Sequence, residues 1–502
     1  MLKMSSQIET IVNAYKTLSK IPTIVGGKLN KSATGVTAKW SVRNLDKGKT
    51  TKYLYDYVLD EKLNVISESE YPTDISNELL SAVSPGGRYK AIIREEKDTK
   101  EVKKQYLEVW SRATLAHCVD LTALDLHGDV YADSEFGSLD WSPDESSIVY
   151  VAERKLKKSE PYIKRKGEEK PKADGSGEAP PKKGEEYIYR QDWGEQLVGK
   201  HFSVVVVCRV ETETFTVLDS DVLPDTCCPG QVRFSPNGAC VCGVAWHTEP
   251  RRLGLIFCTN RPSFIFEVAL DGTHKRVVSG EGVAVRSPRY GVDGQLLWLQ
   301  RAAGGPHHAA HALLRARKDS IETSTVVDVV DTERIIENKD KFYGIYCAAL
   351  PTRCFANDGR LVFSSSQRND VRSYVLHLDS GKLVDVSIRN TPGSTTVLDV
   401  RNDVILASFS NMTTPSTAHT CSEQWGWRTC RVLPHKRARC RHARTYAPLA
   451  VRHYRHHHFD PCGARGGTDR SDVTLASRRR RSIAVRHLDH AVGPHLRVSQ
   501  AM

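Results

Sequence analysis

Nucleophilic catalysis requires a hydroxyl or thiol that is activated by a neighbouring base, which a third group orients. The 502-residue sequence offers no such set at a recognisable spacing, and it contains no Gly-x-Ser-x-Gly segment. Gly48–Thr50 resembles the end of a phosphate-binding loop, but Arg43 occupies the position of the leading glycine. We therefore assign no catalytic or cofactor-binding residue, and we expect no cofactor.

Metal binding is the second chemistry to consider, because cysteine and histidine are concentrated near the C-terminus. The candidate ligands are Cys421, Cys430, Cys440, His453, His456–His458 and Cys462. The gaps between these cysteines lack the close ligand pairs that are typical of structural zinc sites. We therefore predict no metal site.

The net charge of +12 lies entirely in the last part of the chain. Residues 412–502 contain 16 Arg and 1 Lys against 5 acidic residues, whereas residues 1–411 contain 55 basic and 55 acidic residues. The cluster Arg478–Arg481 could bind nucleic acid, but aromatic side chains on which bases could stack are nearly absent around it. The tail composition is typical of coding sequence that is read out of frame or left unspliced, and a basic nucleic-acid adaptor is the alternative.

The sequence lacks an apolar run long enough to cross a membrane, and its first 30 residues lack the apolar segment of a signal peptide. Its 13 cysteines have irregular spacing and often lie inside apolar runs, as Cys208 and Cys242 do. This pattern is typical of reduced thiols in a protein core. We predict a cytoplasmic protein that binds no membrane.

A turn followed by an apolar run recurs along the chain. In its clearest copy, Phe234–Asn260, Pro236 presets the backbone for a tight turn and Gly238 accepts a left-handed conformation. The apolar runs Ala239–Trp246 and Leu253–Cys258 are then expected to be the two strands of a hairpin. The other copies are Val83–Gly87, Trp141–Glu145, Tyr290–Gly294, Phe355–Gly359 and the weaker Asn402–Asp403. Repetition at roughly 40 to 60 residues, with several short strands in each period, predicts an all-β protein, a β-propeller of seven or eight blades.

One interval between copies is longer than the others, and the sequence contains an insertion there. Lys155–Glu186 mixes charged residues with Pro and Gly and has almost no apolar residues, so we predict a disordered loop. We place the propeller at residues 35–411, an amphipathic helix and linker at residues 1–34, and a disordered Arg/His-rich tail at residues 412–502. The apolar face of the helix is the predicted partner interface, formed by Ile8, Ile11, Val12, Tyr15 and Leu18.

Several segments resemble the amino-terminal propeller of acylaminoacyl-peptidases, which are also called acylamino-acid-releasing enzymes and belong to the prolyl oligopeptidase family. They are Glu108–Trp110, Tyr189–Gly194, Trp246–Asn260, Val285–Arg289 and Gly344–Leu350. The resemblance extends over about residues 5–411. It implies a propeller that covers an α/β-hydrolase domain, whose Ser-Asp-His triad releases N-acylated amino acids from short acylated peptides. It also implies that the propeller screens substrates by size and that the amino-terminal helix packs on the hydrolase domain.

The hydrolase domain of this family would follow residue 411, with a His-Gly-Gly-Pro segment and a Gly-x-Ser-x-Gly elbow. Neither is present; Gly304–His308 has a similar composition, but it lies inside the repeats and is predicted to be a surface loop. We therefore expect the chain to be inactive alone, with a hydrolase domain and short acylated peptides as partners of the intact family and a homo-oligomer as its assembly. The alternative is a non-catalytic propeller scaffold that binds a protein or peptide.

Overall fold

The structure is a computed structural model. It describes residues 2–155, 183–184, 187–218, 223–271, 273–318, 322–389, 391–422 and 430–433. Most of the predicted insertion and the chain after residue 433 lie outside the described residues.

Seven antiparallel sheets follow one another along the chain, and each is a blade of a seven-bladed β-propeller. Before them lies helix α1 (Leu2–Ser19). Blade 1 contains β1 (Thr23–Leu29), β2 (Gly35–Asn44), β3 (Lys49–Leu59) and β4 (Val65–Glu68), with β5 (Thr73–Asp74) also paired to β3. Blade 2 contains β6 (Glu78–Val83), β7 (Tyr89–Lys97), β8 (Lys103–Ser111) and β9 (Thr114–Asp120), and is followed by the short helix α2 (Leu121–Leu124).

The three middle blades have the same order of four strands. Blade 3 contains β10 (Leu139–Trp141), β11 (Ser147–Glu153), β12 (Ser203–Arg209) and β13 (Thr214–Val217). Blade 4 contains β14 (Cys227–Phe234), β15 (Cys240–His247), β16 (Ser263–Ala269) and β17 (Lys275–Val277). Blade 5 contains β18 (Val283–Tyr290), β19 (Leu296–Ala302), β20 (Ala312–Ala316) and β21 (Thr323–Val327).

Blade 6 is the irregular one. A separate pair, β22 (Arg334–Ile335) and β23 (Lys341–Phe342), precedes it, and its sheet contains β24 (Leu361–Gln367), β25 (Asp370–Leu376) and β26 (Leu383–Asp385). Its innermost segment is joined to the sheet by the single bridge between Phe355 and Leu361. Blade 7 contains β27 (Ser394–Arg401), β28 (Val404–Asn411), β29 (Thr414–Ser422) and β30 (Cys430–Leu433). Two 3-10 turns, Glu195–Leu197 and Glu337–Lys339, lie in connections.

The propeller extends beyond both predicted boundaries, 35 and 411. It begins at Thr23, because β1 pairs with β2 along its length. It continues past residue 411, because β29 pairs with β28 and β30 pairs with β29. Residues 412–422 and 430–433, which the sequence places in the tail, therefore complete the last blade.

The hairpin predicted within Phe234–Asn260 is wrong in its second strand. Strand β15 pairs with β14 before the turn and with β16 after it, while Leu253–Cys258 is a loop. The backbone of this loop is held by side chains instead of a strand partner. The N–H of Arg252 donates to Gln191 Oε1 at 3.0 Å, and the N–H of Ile256 donates to Glu195 Oε2 at 3.2 Å.

The apolar core lies between blades and is divided into five clusters. One large cluster lies between blades 3, 4 and 5. The other four each lie between two blades: blades 2 and 3, blades 5 and 6, blades 6 and 7, and blades 7 and 1. Strands that face two neighbours are buried on both faces, as Ile148–Ala152 of β11 shows, which is why their sequences are continuous apolar runs. Burial of these faces against the next blade is what joins consecutive sheets into a ring.

The recurring turns predicted from the sequence join the first and second strands of the blades. Since all these turns follow first strands, they lie on one face of the propeller, which we call the turn face. Adjacent turns contact each other: the N–H of Gly86 donates to Glu145 Oε1 at 2.5 Å, and the N–H of Asn357 donates to Asp403 Oδ1 at 2.8 Å. The first strand of a blade runs towards the turn face, and the fourth strand, which is antiparallel to the third, runs away from it. The chain therefore enters the propeller at Thr23 and leaves it at Leu433 on the face opposite the turn face, which we call the termini face.

Candidate functional site

The innermost strands carry one equivalent position each, two residues before the turn. In six turns the carbonyl of the first residue accepts a hydrogen bond from the N–H of the residue three positions later; these turns begin at Asn30, Ser84, Ser142, Ser235, Gly291 and Ala356. The seventh turn begins at Arg401, which pairs with Val404. We call the seven side chains at the equivalent position the inner ring: Lys28, Ala82, Asp140, Arg233, Arg289, Cys354 and Asp399. Five of the seven are basic or acidic residues, namely Lys28, Arg233, Arg289, Asp140 and Asp399. The axis of the propeller is therefore charged near the turn face.

The ring residues lie around the axis of the propeller. Lys28 belongs to blade 1, whereas Arg233 and Arg289 belong to blades 4 and 5 on the other side of the ring. The three residues occupy the same register position on innermost strands, and the innermost strands of a propeller surround its axis. The three cations are therefore arranged around one central space, and in agreement both guanidinium groups lower the pKa of Lys28.

Asp399 connects blades 6, 7 and 1 at the ring. Its Oδ2 accepts a 2.7 Å hydrogen bond from the N–H of Leu29, and its Oδ1 accepts a 2.8 Å hydrogen bond from Arg353 Nε. The second Arg353 nitrogen that contacts Asp399, Nη2, also donates to the carbonyl of Leu29 at 2.7 Å. The carboxylate is fully buried, so its partners stabilise a charge that would otherwise be unfavourable to bury.

Asp140 has a similar role between blades 3 and 4. Its Oδ2 accepts a 3.0 Å hydrogen bond from the N–H of Phe234, and its Oδ1 lies 3.4 Å from Arg233 Nη1. The next ring cation, Arg289, is held differently. Its guanidinium donates to three backbone carbonyls, those of Pro288, Leu350 and Pro351, at 2.6–2.8 Å.

Cations outnumber carboxylates at this level of the propeller. Among the residues that the structure describes, Asp140 and Asp399 are the carboxylates paired with Lys28, Arg233 and Arg353, and Arg289 contacts backbone carbonyls. Neighbouring blades surround the Lys28 ammonium, although 47% of its side-chain surface remains open. Desolvation, followed by the charges of Arg353, Arg233 and Arg289, lowers the pKa of Lys28 to about 8, while Asp399 opposes the shift.

Cys354 adds no negative charge to the ring. Its side chain is buried, and desolvation raises the pKa of its thiol to about 11, with the nearby arginines opposing the shift. Nine cysteines in the described part of the chain are free, whereas Cys421 is disulfide-bonded.

A second ion pair lies farther along the innermost strands, towards the termini face. Arg286 of β18 lies 3.1 Å from Glu135, which precedes β10, and both side chains are at least 94% buried. The Gln231 side chain joins them, since its Nε2 donates to the Glu135 carbonyl at 3.0 Å and its Oε1 accepts from the N–H of Ser287 at 2.7 Å. Desolvation raises the pKa of Glu135, and Arg286 opposes the shift.

The predicted partner interface is an exposed face of α1. The helix begins at Leu2 and ends at Ser19, inside the segment 1–34 for which the sequence predicts a helix and a linker. The exposed fractions of its apolar face are 56% for Ile8, 68% for Ile11, 41% for Val12, 52% for Tyr15 and 58% for Leu18. The propeller does not cover this face, although apolar faces of helices in globular proteins are normally buried.

The other sequence candidates have ordinary structural positions or lie outside the described residues. Gly304–His308 is a surface loop between β19 and β20. Cys421 lies in β29 opposite Cys430 in β30. Cys440, Cys462, His453, His456–His458 and Arg478–Arg481 lie outside the described residues. Among the residues that the structure describes, no group of His, Cys, Asp and Glu side chains could hold a metal ion, and no helix has the length and apolar content of a bilayer span.

Sequence reasoning missed the inner ring. Asp140, Arg233 and Arg289 each stand two residues before a turn that the sequence did reveal, so an alignment of those turns would have found them. Lys28 had no comparable signal, because the turn after β1 lacks the Pro and Gly residues of the other copies.

The sequence of this chain is similar to the N-terminal part of a known enzyme family. A family model described as "Acylamino-acid-releasing enzyme, N-terminal domain" matches residues 3–424. The mouse acylamino-acid-releasing enzyme is 31% identical over 420 residues, which cover 80% of this chain and 57% of the mouse protein. The human acylamino-acid-releasing enzyme is 32% identical over 431 residues, which cover 82% of this chain and 58% of the human protein.

A solved structure shares the fold at much lower sequence identity. The Pyrococcus horikoshii acylaminoacyl peptidase superposes with a TM-score of 0.51 at 14% identity, over 84% of this chain and 54% of that chain. The chain thus matches little more than half the length of these relatives. The family model and the mammalian relatives together show that the chain belongs to the acylamino-acid-releasing enzyme family and contains the N-terminal β-propeller domain of that family.

Proposed function

We propose that this chain is the substrate-screening propeller of an acylaminoacyl peptidase, which admits short N-acylated peptides to a hydrolase domain that cleaves them. The observation that supports this most strongly is the family match over residues 3–424. Seven blades arranged in a ring around a central opening would exclude large folded proteins by size. The reaction itself requires a nucleophile, a base and an orienting group, which we propose that the hydrolase domain supplies.

The course of the chain supports a hydrolase domain on the termini face of the propeller. A domain joined to either end of the propeller must start on the termini face, where β1 begins and β30 ends. Helix α1 precedes β1 on that same side, with its apolar face exposed. We propose that the face formed by Ile8, Ile11, Val12, Tyr15 and Leu18 packs on the hydrolase domain, which would remove this apolar surface from water.

A chimera tests this function. In it, residues 1–433 of this chain replace the matching N-terminal region of the human acylamino-acid-releasing enzyme. We expect the chimera to release N-acetylalanine from short acetylated peptides, with a rate that falls as the peptide becomes longer. A folded chimera that is inactive, or that cleaves long and short peptides equally, would contradict the proposal.

The chain alone is proposed to be inactive, and this is tested separately. We expect no turnover of an N-acetylalanyl chromogenic amide by the purified 502-residue chain. Turnover that a serine-directed organophosphate abolishes would show that the chain has a nucleophile of its own. The non-catalytic scaffold remains the alternative, and it is favoured if the chimera folds but neither cleaves nor binds acetylated peptides. The cytoplasmic location and the homo-oligomer stay predictions.

A further inference from the structure

The inner ring contains more positive charge than its own carboxylates neutralise. Asp399 accepts hydrogen bonds from the N–H of Leu29 and from two nitrogens of Arg353. Asp140 accepts hydrogen bonds from the N–H of Phe234 and from one nitrogen of Arg233. Two carboxylates thus face the four cations Lys28, Arg233, Arg289 and Arg353, which leaves an excess of positive charge.

Lys28 is the most available of these donors. Its Nζ lies 3.7 Å from Asp399 Oδ1, which is longer than a hydrogen bond, and it makes no hydrogen bond within the described part of the chain. The Arg233 guanidinium makes a single long contact, 3.4 Å to Asp140, and 20% of its side-chain surface is open. Both side chains thus have N–H groups that no other residue of the described part of the chain uses.

The remaining cations increase the positive potential at the same point. Arg289 is buried and contacts only backbone carbonyls, which hold the guanidinium without neutralising its charge. Arg353 shares its carboxylate with the N–H of Leu29. Charges of one sign on the walls of a low-dielectric opening focus their field into that opening.

We propose that the inner ring binds the carboxylate of a short peptide, with Lys28 and Arg233 as the direct ligands. A guanidinium and an ammonium are the side-chain groups that form charge-assisted hydrogen bonds to carboxylate oxygens. The four cations come from blades 1, 4, 5 and 6, so the site exists only when the ring is assembled.

The choice of a peptide carboxylate rests on the proposed function. N-acylation removes the positive charge of a peptide's amino terminus, so the C-terminal carboxylate is the one charge that every short N-acylated peptide carries. A cationic ring attracts such an anion and is less favourable for a zwitterionic peptide with a free amino group. The ring lies near the turn face, and the opposite face is where the chain enters and leaves. A peptide that enters from the turn face therefore meets the ring first.

The test uses the purified 502-residue chain and calorimetric titration at pH 7 and low ionic strength. The probes are N-acetyl-alanyl-alanine, its C-terminal amide, alanyl-alanine, acetate and inorganic phosphate. We expect the acetylated acid to bind, its amide to bind at least about tenfold more weakly, and the affinity of the acid to fall as salt is added. The free anions and the zwitterion should bind more weakly than the acetylated acid.

The Lys28→Gln variant removes one ligand from a side chain that is half exposed, so the fold should persist. We expect it to weaken binding of the acetylated acid about tenfold and to leave binding of the amide unchanged. The matched control is Lys49→Gln, an exposed lysine of blade 1 in β3, and it should have no effect. An Arg233→Gln variant that loses affinity in the same way, with an unchanged unfolding midpoint, adds support for the second ligand.

Several results would overturn the proposal. Equal affinity for the acid and the amide, or an unchanged affinity in Lys28→Gln, would remove the carboxylate site. Acetate or phosphate that binds as tightly as the acetylated acid would assign the ring to free anions and not to peptides. These titrations need no peptidase activity. An inactive chimera would therefore contradict the proposed function but not the carboxylate site. A titration that shows no binding would contradict the carboxylate site but not the proposed function.

Discussion

The backbone N–H of Leu29 on blade 1 donates a 2.7 Å hydrogen bond to Oδ2 of Asp399 on blade 7, 370 residues later in the chain. Each blade consists of strands that are consecutive in sequence, so no strand is exchanged between the first and last blades to close the ring. Closure depends on the apolar cluster that blades 7 and 1 share and on this buried carboxylate. It follows that Asp399 and the shared apolar cluster together join the two ends of the propeller.

Replacement of Asp399 should therefore destabilise the whole propeller. Asp399→Asn keeps an acceptor for the N–H of Leu29 but leaves Arg353 without its anion, and we expect the free energy of unfolding to fall by about 3 kcal/mol. Asp399→Ala should cost more, because the N–H loses its acceptor as well. Urea unfolding measures both changes. Asp46→Asn, at an exposed position, is the control and should shift stability by less than about 0.5 kcal/mol; an equally small shift for Asp399→Asn would refute the role in closure.

The Lys28 ammonium should titrate near pH 8 in the folded chain. Its folded pKa lies below that of an unfolded lysine, so the unfolded chain binds more protons between about pH 8 and 10.5. Stability should then rise with pH across this window, and the rise should be reduced in Lys28→Gln. NMR of reductively methylated lysines gives the midpoint. The groups that face Lys28 are Asp399, Arg353, Arg233 and Arg289, and a midpoint at the ordinary lysine value would show that they do not surround it.

A peptide carboxylate bound at the ring should raise the pKa of Lys28. The bound anion favours the charged ammonium, in opposition to the three arginines. The methylated Lys28 signal should therefore move its midpoint to higher pH in saturating N-acetyl-alanyl-alanine. The amide of the same peptide should leave the midpoint where it is, and a shift of equal size with the amide would speak against contact between the carboxylate and Lys28.

Removal of only one member of the Glu135–Arg286 ion pair should lower the free energy of unfolding strongly. Arg286→Met leaves the Glu135 carboxylate buried without its cation, and we expect a loss of about 3–5 kcal/mol in the free energy of unfolding at pH 7. The double variant Glu135→Leu/Arg286→Met should recover part of that loss, because no charge remains buried. Thermal and urea unfolding of the two single variants and the double variant complete the cycle. Losses that simply add would show that the two side chains do not interact.

The effect of this pair on stability should depend on pH, because the pKa of Glu135 is raised. Burial raises the folded pKa of Glu135 above the unfolded value, so the contribution of this residue to stability declines as pH rises from the unfolded pKa through the folded pKa. Without Arg286 the decline should be larger. The destabilisation caused by Arg286→Met should consequently be smaller near pH 4 than at pH 7, and a loss that is the same at both pH values would contradict the assignment.

The apolar face of α1 should matter for association and not for the fold of this chain. Ile11→Gln combined with Leu18→Gln replaces two exposed side chains, and the free energy of unfolding of the isolated chain should change by less than about 0.5 kcal/mol. In the chimera with the human hydrolase region, the same pair of substitutions should lower thermal stability and activity. Lys16→Gln on the exposed surface of α1 is the matched control. A large loss of stability in the isolated chain would mean that the propeller itself binds this face.

The propeller, with seven or eight blades, and the helix could be predicted from the sequence, because both depend on local order. Turn residues such as Pro236 and Gly238 fix the backbone where they stand, and the apolar runs beside them have the length of strands. Where local signals are weak, the prediction was incomplete. Strand β1 contains two glycines, and β29 contains a proline and no Val, Ile, Phe, Tyr or Trp, so only their pairing with neighbouring strands identifies them.

The sequence by itself determined that this chain repeats a strand-turn-strand unit, that its excess charge lies after residue 411, and that it resembles the propeller of acylaminoacyl-peptidases. Only the tertiary structure decided that Lys28, Arg233, Arg289 and Arg353 face one space and that Asp399 closes the ring. The physical reason is that these residues are separated by up to several hundred positions in the chain. A propeller brings one side chain from each blade to a common axis, and no local pattern of sequence records which side chains will meet there.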